Sequence, residues 1–191
     1  MRRLALALVC ACAATEPTDP VPTSAQPSAT VKSEDPIGTT APEWQLEGWL
    51  HSPPLRLSAL RGKVVLARWF TSPSCPYCAA SSRALTTLHR RFRDNGLVVV
   101  GIYHHKDDEP LRDGAVAEYA KGYGFDFPVA IDPEWRTLRR WWLDGYDRDY
   151  TSVSFLIDKR GVIRHVHPGG TIDLDTPDGK ALLEKVEALL R

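Results

Sequence analysis

The chain of 191 residues has no net charge, with 24 Lys and Arg against 24 Asp and Glu. It lacks the general field that gathers nucleic acid or an anionic membrane, so partners must be recognised through local features. No apolar run is long enough to cross a bilayer: residues 4–14 supply 11 where roughly 20 are needed. Cysteine is scarce. Two of the four lie at Cys10 and Cys12, which leaves the single pair Cys75 and Cys78 and no second cysteine pair for a zinc site. Internal repeats are absent. With 43% hydrophobic and 25% charged residues the composition is ordinary for a globular protein, which excludes wholesale disorder or a coiled-coil rod and leaves room for one main domain.

Behind Arg2 and Arg3, the apolar run of residues 4–14 reads as a compact secretory signal. Within it, Val9-Cys10-Ala11-Cys12 is similar to a bacterial lipobox, which makes Cys12 the expected lipidation site; ordinary cleavage near Ala13 is the alternative. In residues 15–42, 15 of the 28 are Pro, Ser or Thr and none is aromatic. Such a stretch buries too little apolar surface to offset its ordering entropy, and is expected to be a disordered linker. Residues 43–191 are then the folded domain.

Periodicity orders that domain. Residues 44–50 and 55–57 read as an N-terminal β-hairpin around His51-Ser52-Pro53-Pro54, and 63–70 as a strand apolar on both faces. Ala84, Leu85, Leu88 and Phe92 recur at helical spacing until Asn95-Gly96. Strands at 97–103 and 127–131 alternate with helices at 115–123 and 133–143. A tight hairpin joins 153–158 to 162–166 through Lys159-Arg160-Gly161, and a helix spans 177–190. This alternation predicts an α/β domain with a central mixed sheet flanked by helices.

Cys75-Pro76-Tyr77-Cys78 falls where a strand gives way to a helix, the place of a redox dithiol. Cys75 takes the N-cap and Pro76 the first helical position, where a missing N–H is harmless. Free N–H groups and the helix dipole then favour a thiolate at Cys75, while Cys78, one turn inside, suits the resolving role. A metal site is the rival use of the pair, and its further ligands would have to be His104, His105, His165 or His167. A proton-transfer role for His104 or His105 is a further possibility. Trp135, Leu138, Trp141 and Trp142 read as core, with Arg136, Arg139 and Arg140 as a solvated face.

The dithiol stands in an ordered set with residues 57–66 (LSALRGKVVL), 127–132 (FPVAID) and 154–161 (SFLIDKRG). In that set the chain resembles the thioredoxin-fold TlpA/ResA-like, or redoxin, thiol:disulfide oxidoreductases. The resemblance implies a thioredoxin-like fold, no cofactor, and an enzyme in which Cys75 forms mixed disulfides that Cys78 resolves. It also implies protein thiol or disulfide substrates, an upstream redox donor, and an exported, periplasmic or cell-envelope location with a possible lipid tether. Reduction is the expected direction and a monomer the expected state. A peroxiredoxin-like thiol peroxidase and a metal-binding chaperone are the alternatives.

Three positions depart from the family pattern. Ser152 occupies the usual cis-proline slot, where a trans peptide and a looser loop are expected. Arg68 stands where relatives place an acid or an amide, either supporting the Cys75 thiolate or snorkelling to the surface. Ser74 replaces the tryptophan often found before the first cysteine.

Overall fold

The computed structural model describes residues 36–148 and 150–191. The signal, Cys12 and most of the Pro/Ser/Thr-rich segment lie outside the described residues. In chain order the elements are β1 (Glu47–Leu50), β2 (Val64–Phe70), α1 (Pro76–Phe92), β3 (Leu97–Tyr103), α2 (Ala115–Gly122), β4 (Val129–Ile131), α3 (Arg136–Leu138), β5 (Ser154–Ile157), β6 (Ile163–His167) and α4 (Pro177–Leu190).

The strands form one mixed sheet in the order β1-β4-β3-β2-β5-β6. β2, β3 and β4 run parallel, with α1 and α2 making the crossovers that parallel neighbours require. β5 returns antiparallel to β2, and β6 antiparallel to β5. Every residue of β2 is buried, because alternate side chains enter two separate cores. Val64, Leu66 and Phe70 pack against α1, α2 and α4, whereas Val65, Ala67 and Trp69 pack against Leu138, Trp141, Trp142 and Phe155. Buried Leu85 and Leu88 pin α1 to the first core, each worth about 2 kcal/mol.

The N-terminal hairpin is not formed. β1 pairs antiparallel with β4, Leu50 opposite Val129, and residues 55–57 make no strand. Side chains hold that segment in place of a ladder: the Glu43 carboxylate accepts from the Leu57 and Ser58 N–H groups at 2.6 and 3.0 Å, and Trp44 Nε1 donates to the Leu55 carbonyl at 2.8 Å.

The helix expected at 133–143 is broken. Glu134 and Trp135 have positive φ, and Arg139–Leu143 widens into a π turn. Buried Asp132 directs this, its carboxylate accepting from Trp69 Nε1, Thr137 N and Leu138 N at 2.8–2.9 Å. Residues 38–41, inside the segment read as linker, dock on the β5–β6 hairpin: Gly38 N and Ile163 N exchange hydrogen bonds with Ile163 O and Thr39 O, and Ala41 N donates to Gly161 O.

Candidate functional site

β2 delivers the chain to the upper edge of the sheet, and Thr71 and Ser72 turn it into α1. Tyr123 Oη fixes this turn by donating to the Ser72 carbonyl at 3.0 Å. Cys75 is the N-cap of α1, with extended backbone (φ −83°, ψ 106°) and Pro76 in the first turn. Its Sγ accepts from the Cys78 N–H at 3.2 Å, so the sulfur replaces a missing backbone acceptor at the helix start. The two sulfurs are joined as a disulfide with Cα atoms 5.4 Å apart. Cys75 is half-buried, Cys78 only 2% exposed, and Tyr77 between them projects outward. Of the two cysteines, Cys75 is the more open to solvent.

Ser152 faces this pair. Its Oγ lies 3.7 Å from Cys78 Sγ and 4.0 Å from Cys75 Sγ. No peptide among the described residues is cis, so the Thr151–Ser152 bond is trans. The loop is nonetheless tied on both sides of Ser152: Lys106 Nζ donates to Thr151 Oγ1 at 3.0 Å, and Trp69 N to the Val153 carbonyl at 3.0 Å. The Lys106 tether has no signal in the sequence, where Lys106-Asp107-Asp108-Glu109 is simply a run of charged residues.

Arg68 does not snorkel. It is 1% exposed and lies on the α1 side of β2, on one rung of the sheet with Ser154 of β5 and His167 of β6. Nη1 donates to Ser154 Oγ at 3.2 Å, and Nη2 to Ser81 Oγ at 3.4 Å and to the Gly170 carbonyl at 2.8 Å. Nε has no hydrogen-bond partner, and no ion pair among the described residues includes Arg68. Burial pushes its pKa down to about 10, so the guanidinium stays charged at neutral pH. Ser81 also accepts from Ile172 N and donates to the Tyr77 carbonyl, which ties the dithiol helix to the β6–α4 loop. Only its place three residues after Cys78 on the buried stripe marked it in the sequence.

The histidines do not converge on the sulfurs. His104 is fully buried, donates from Nδ1 to the Phe70 carbonyl at 3.0 Å, and sets its ring edge-on to Trp135. Burial, with smaller effects of Lys106 and Arg68, pushes its pKa down to about 3. His105 lies between Tyr103 Oη and the Glu109 carbonyl. His167 is pushed down to about 4 by burial and then by the charges of Arg68 and His165. Among the described residues no three His, Cys, Asp or Glu side chains are grouped to hold a metal ion. Trp141 and Trp142 are buried edge-on against Phe155, as a core reading expects, while Arg136, Arg139 and Arg140 are exposed.

Residues 37–166 match the AhpC/TSA family, a stretch that includes both cysteines, Arg68 and Ser152. The chain belongs to the AhpC/TSA family. Among its relatives is protein DipZ of Mycobacterium bovis, 33% identical over 134 residues that make up 68% of this chain and 18% of DipZ. The chain therefore corresponds to a small part of that protein. The thiol-disulfide oxidoreductase ResA of Bacillus subtilis is 28% identical over 132 residues, 69% of this chain and 67% of ResA. Among solved structures, a candidate DsbE thiol:disulfide interchange protein from Chlorobium tepidum aligns with TM-score 0.66 and 25% identity, covering 81% of this chain and 98% of its own. The thioredoxin-like fold and the redoxin resemblance both hold for this AhpC/TSA-family chain.

Proposed function

We propose that this protein is a thiol:disulfide oxidoreductase that exchanges disulfides with protein substrates, with Cys75 as nucleophile and Cys78 as resolving thiol. The observation that carries this reading is the N-cap placement of a half-buried Cys75 sulfur, accepting from the Cys78 N–H, over a buried Cys78. In the reduced protein, the N–H and the helix dipole favour the Cys75 thiolate. That thiolate attacks a substrate disulfide, forming a Cys75–substrate bond and releasing one substrate thiolate. Cys78 then loses its proton and attacks Cys75 Sγ, which forms the intramolecular disulfide and releases the second thiolate. Two electrons reach the substrate, and the reverse sequence returns them. Tyr77 and Pro76, exposed beside Cys75, border the surface on which a substrate docks.

Trapping tests the reading. Cys78→Ser is expected to accumulate mixed disulfides with protein partners, and Cys75→Ser is not. Accumulation only in Cys75→Ser would reverse the roles, and neither trapping nor insulin reduction would overturn exchange altogether. Hydrogen peroxide consumption in preference to disulfide exchange would favour the peroxidase alternative. The proposal extends to an exported protein held at the cell envelope through Cys12, supported by the apolar segment behind Arg2 and Arg3. Mass spectrometry of the mature N-terminus checks this, and an unmodified Cys12 removes the tether without touching the redox chemistry.

A further inference from the structure

In the disulfide form the buried charge of Arg68 has no counter-charge bonded to it among the described residues. Arg68 is buried, retains an unpartnered Nε–H, and is bonded only to hydroxyls and a carbonyl. Its Nη2 reaches Ser81, one helical turn from Cys78 on the same buried stripe of α1, and its Nη1 reaches Ser154, two residues beyond Ser152. The guanidinium thus bridges the helix that carries the sulfurs and the strand that follows the loop facing them. No carboxylate among the described residues bonds to Arg68, and the acidic group that faces the cluster, Asp178 in the first turn of α4, acts on His167. His167 faces from β6 and, like His104 at the end of β3, is neutral at pH 7, and Lys106 contributes a second cation where it holds Thr151. A thiolate formed on reduction adds an anion of the kind that Arg68 lacks among its own bonded partners.

We propose that Arg68 is a positioning residue for the redox couple, its buried charge favouring the Cys75 thiolate so that the protein accepts electrons from protein dithiols and oxidises them. This rests on the reading of Cys75 and Cys78 as a working redox pair. In the net step a substrate dithiol gives up two electrons and two protons to become a disulfide. The Cys75–Cys78 bond breaks, Cys75 keeps its electron pair as the thiolate, Cys78 takes one proton, and the other goes to water. A cation near the product anion stabilises the reduced side of this equilibrium. The bias runs opposite to the reducing direction that the family resemblance implies.

The whole protein is equilibrated in glutathione redox buffers, and the oxidised fraction is read by thiol alkylation and mass. Arg68→Met, of similar length without charge, is expected to shift the equilibrium toward the disulfide by about tenfold, or about 30 mV for a two-electron couple. The ionisation of Cys75, followed by its alkylation rate against pH, is expected to rise by about one pH unit. Arg68→Lys should restore most of both effects, which a purely packing role would not produce. No shift in Arg68→Met, or equal shifts in the Met and Lys variants, overturns the proposal. Since Arg68→Met also removes three hydrogen bonds, the wild type carries its own check. A Cys75 thiol ionising near the ordinary value of about 8.5 overturns the proposal as well. These readouts need no protein substrate: a charge-dependent shift without mixed-disulfide trapping would defeat the exchange reading alone, and normal trapping without the shift would defeat this one alone.

Discussion

Two buried charges sit on opposite faces of the same sheet and are treated differently. Asp132, on the tryptophan-rich face, accepts three hydrogen bonds from Trp69, Thr137 and Leu138, and each donor is a group that the local fold must satisfy. Arg68, on the face toward α1, keeps one N–H unpartnered and has no carboxylate beside it among the described residues. The first is a fully satisfied structural cap, whose removal strands donors in the interior. The second is held by two hydroxyls and a carbonyl, where it links the dithiol helix to the strand that follows Ser152.

Four measurements test the difference between the two sites. The largest expected effect is on Asp132→Ala, which should lower stability by about 3 kcal/mol in urea unfolding while leaving the redox equilibrium of the folded fraction unchanged. A loss below about 1 kcal/mol would mean that Asp132 is no more than a spectator.

Acid comes next. His104 ionises near 3 in the folded protein against about 6.5 when unfolded, so the unfolded chain binds the extra proton first. Stability is complete above about pH 6.5 and declines as pH falls from there toward 3. Between pH 7 and 5 this histidine should account for about 2 kcal/mol of the loss. His104→Gln should flatten that part of the urea-midpoint profile, and an unchanged slope would assign the loss elsewhere.

For Arg68→Met the expected stability change is within about 1 kcal/mol, because exchanging a buried charge for an apolar side chain of similar volume is close to neutral. A loss as large as that of Asp132→Ala would erase the distinction between the two sites. Smallest is Ser152→Pro, which should raise insulin disulfide reduction by about threefold by stiffening the loop that faces the two sulfurs. Equal rates within error would show that the Lys106 tether already fixes the loop.

What the sequence revealed and what it hid divide along the same line. The dithiol cap, the glycine stop after α1 and the limits of α4 were legible because each signal lies within one turn of the element it controls. The central strand was legible too, since a run apolar on both faces has few places to go. The partners of Arg68 lie 13, 86 and 102 residues away, and no periodicity carries information over that span. The false hairpin at residues 44–57 has the same cause: local turn residues suggested one partner for β1, and the fold supplied β4. The break in the 133–143 helix was hidden because Asp132 looks like an ordinary loop acid until Trp69 is brought to it from 63 residues away.

The docking of residues 38–41 onto the hairpin turn gives the domain a polarity along its strands. Because β5 runs antiparallel to β2, the 158–162 turn lies at the end of the sheet where β2 begins, and the dithiol lies where β2 ends. Seven residues of strand separate the two poles by about 20 Å. The polypeptide therefore enters at the foot of the molecule with its sulfurs at the crown. Contact at the foot, where residues 38–41 lie, leaves the reactive end at the crown uncovered.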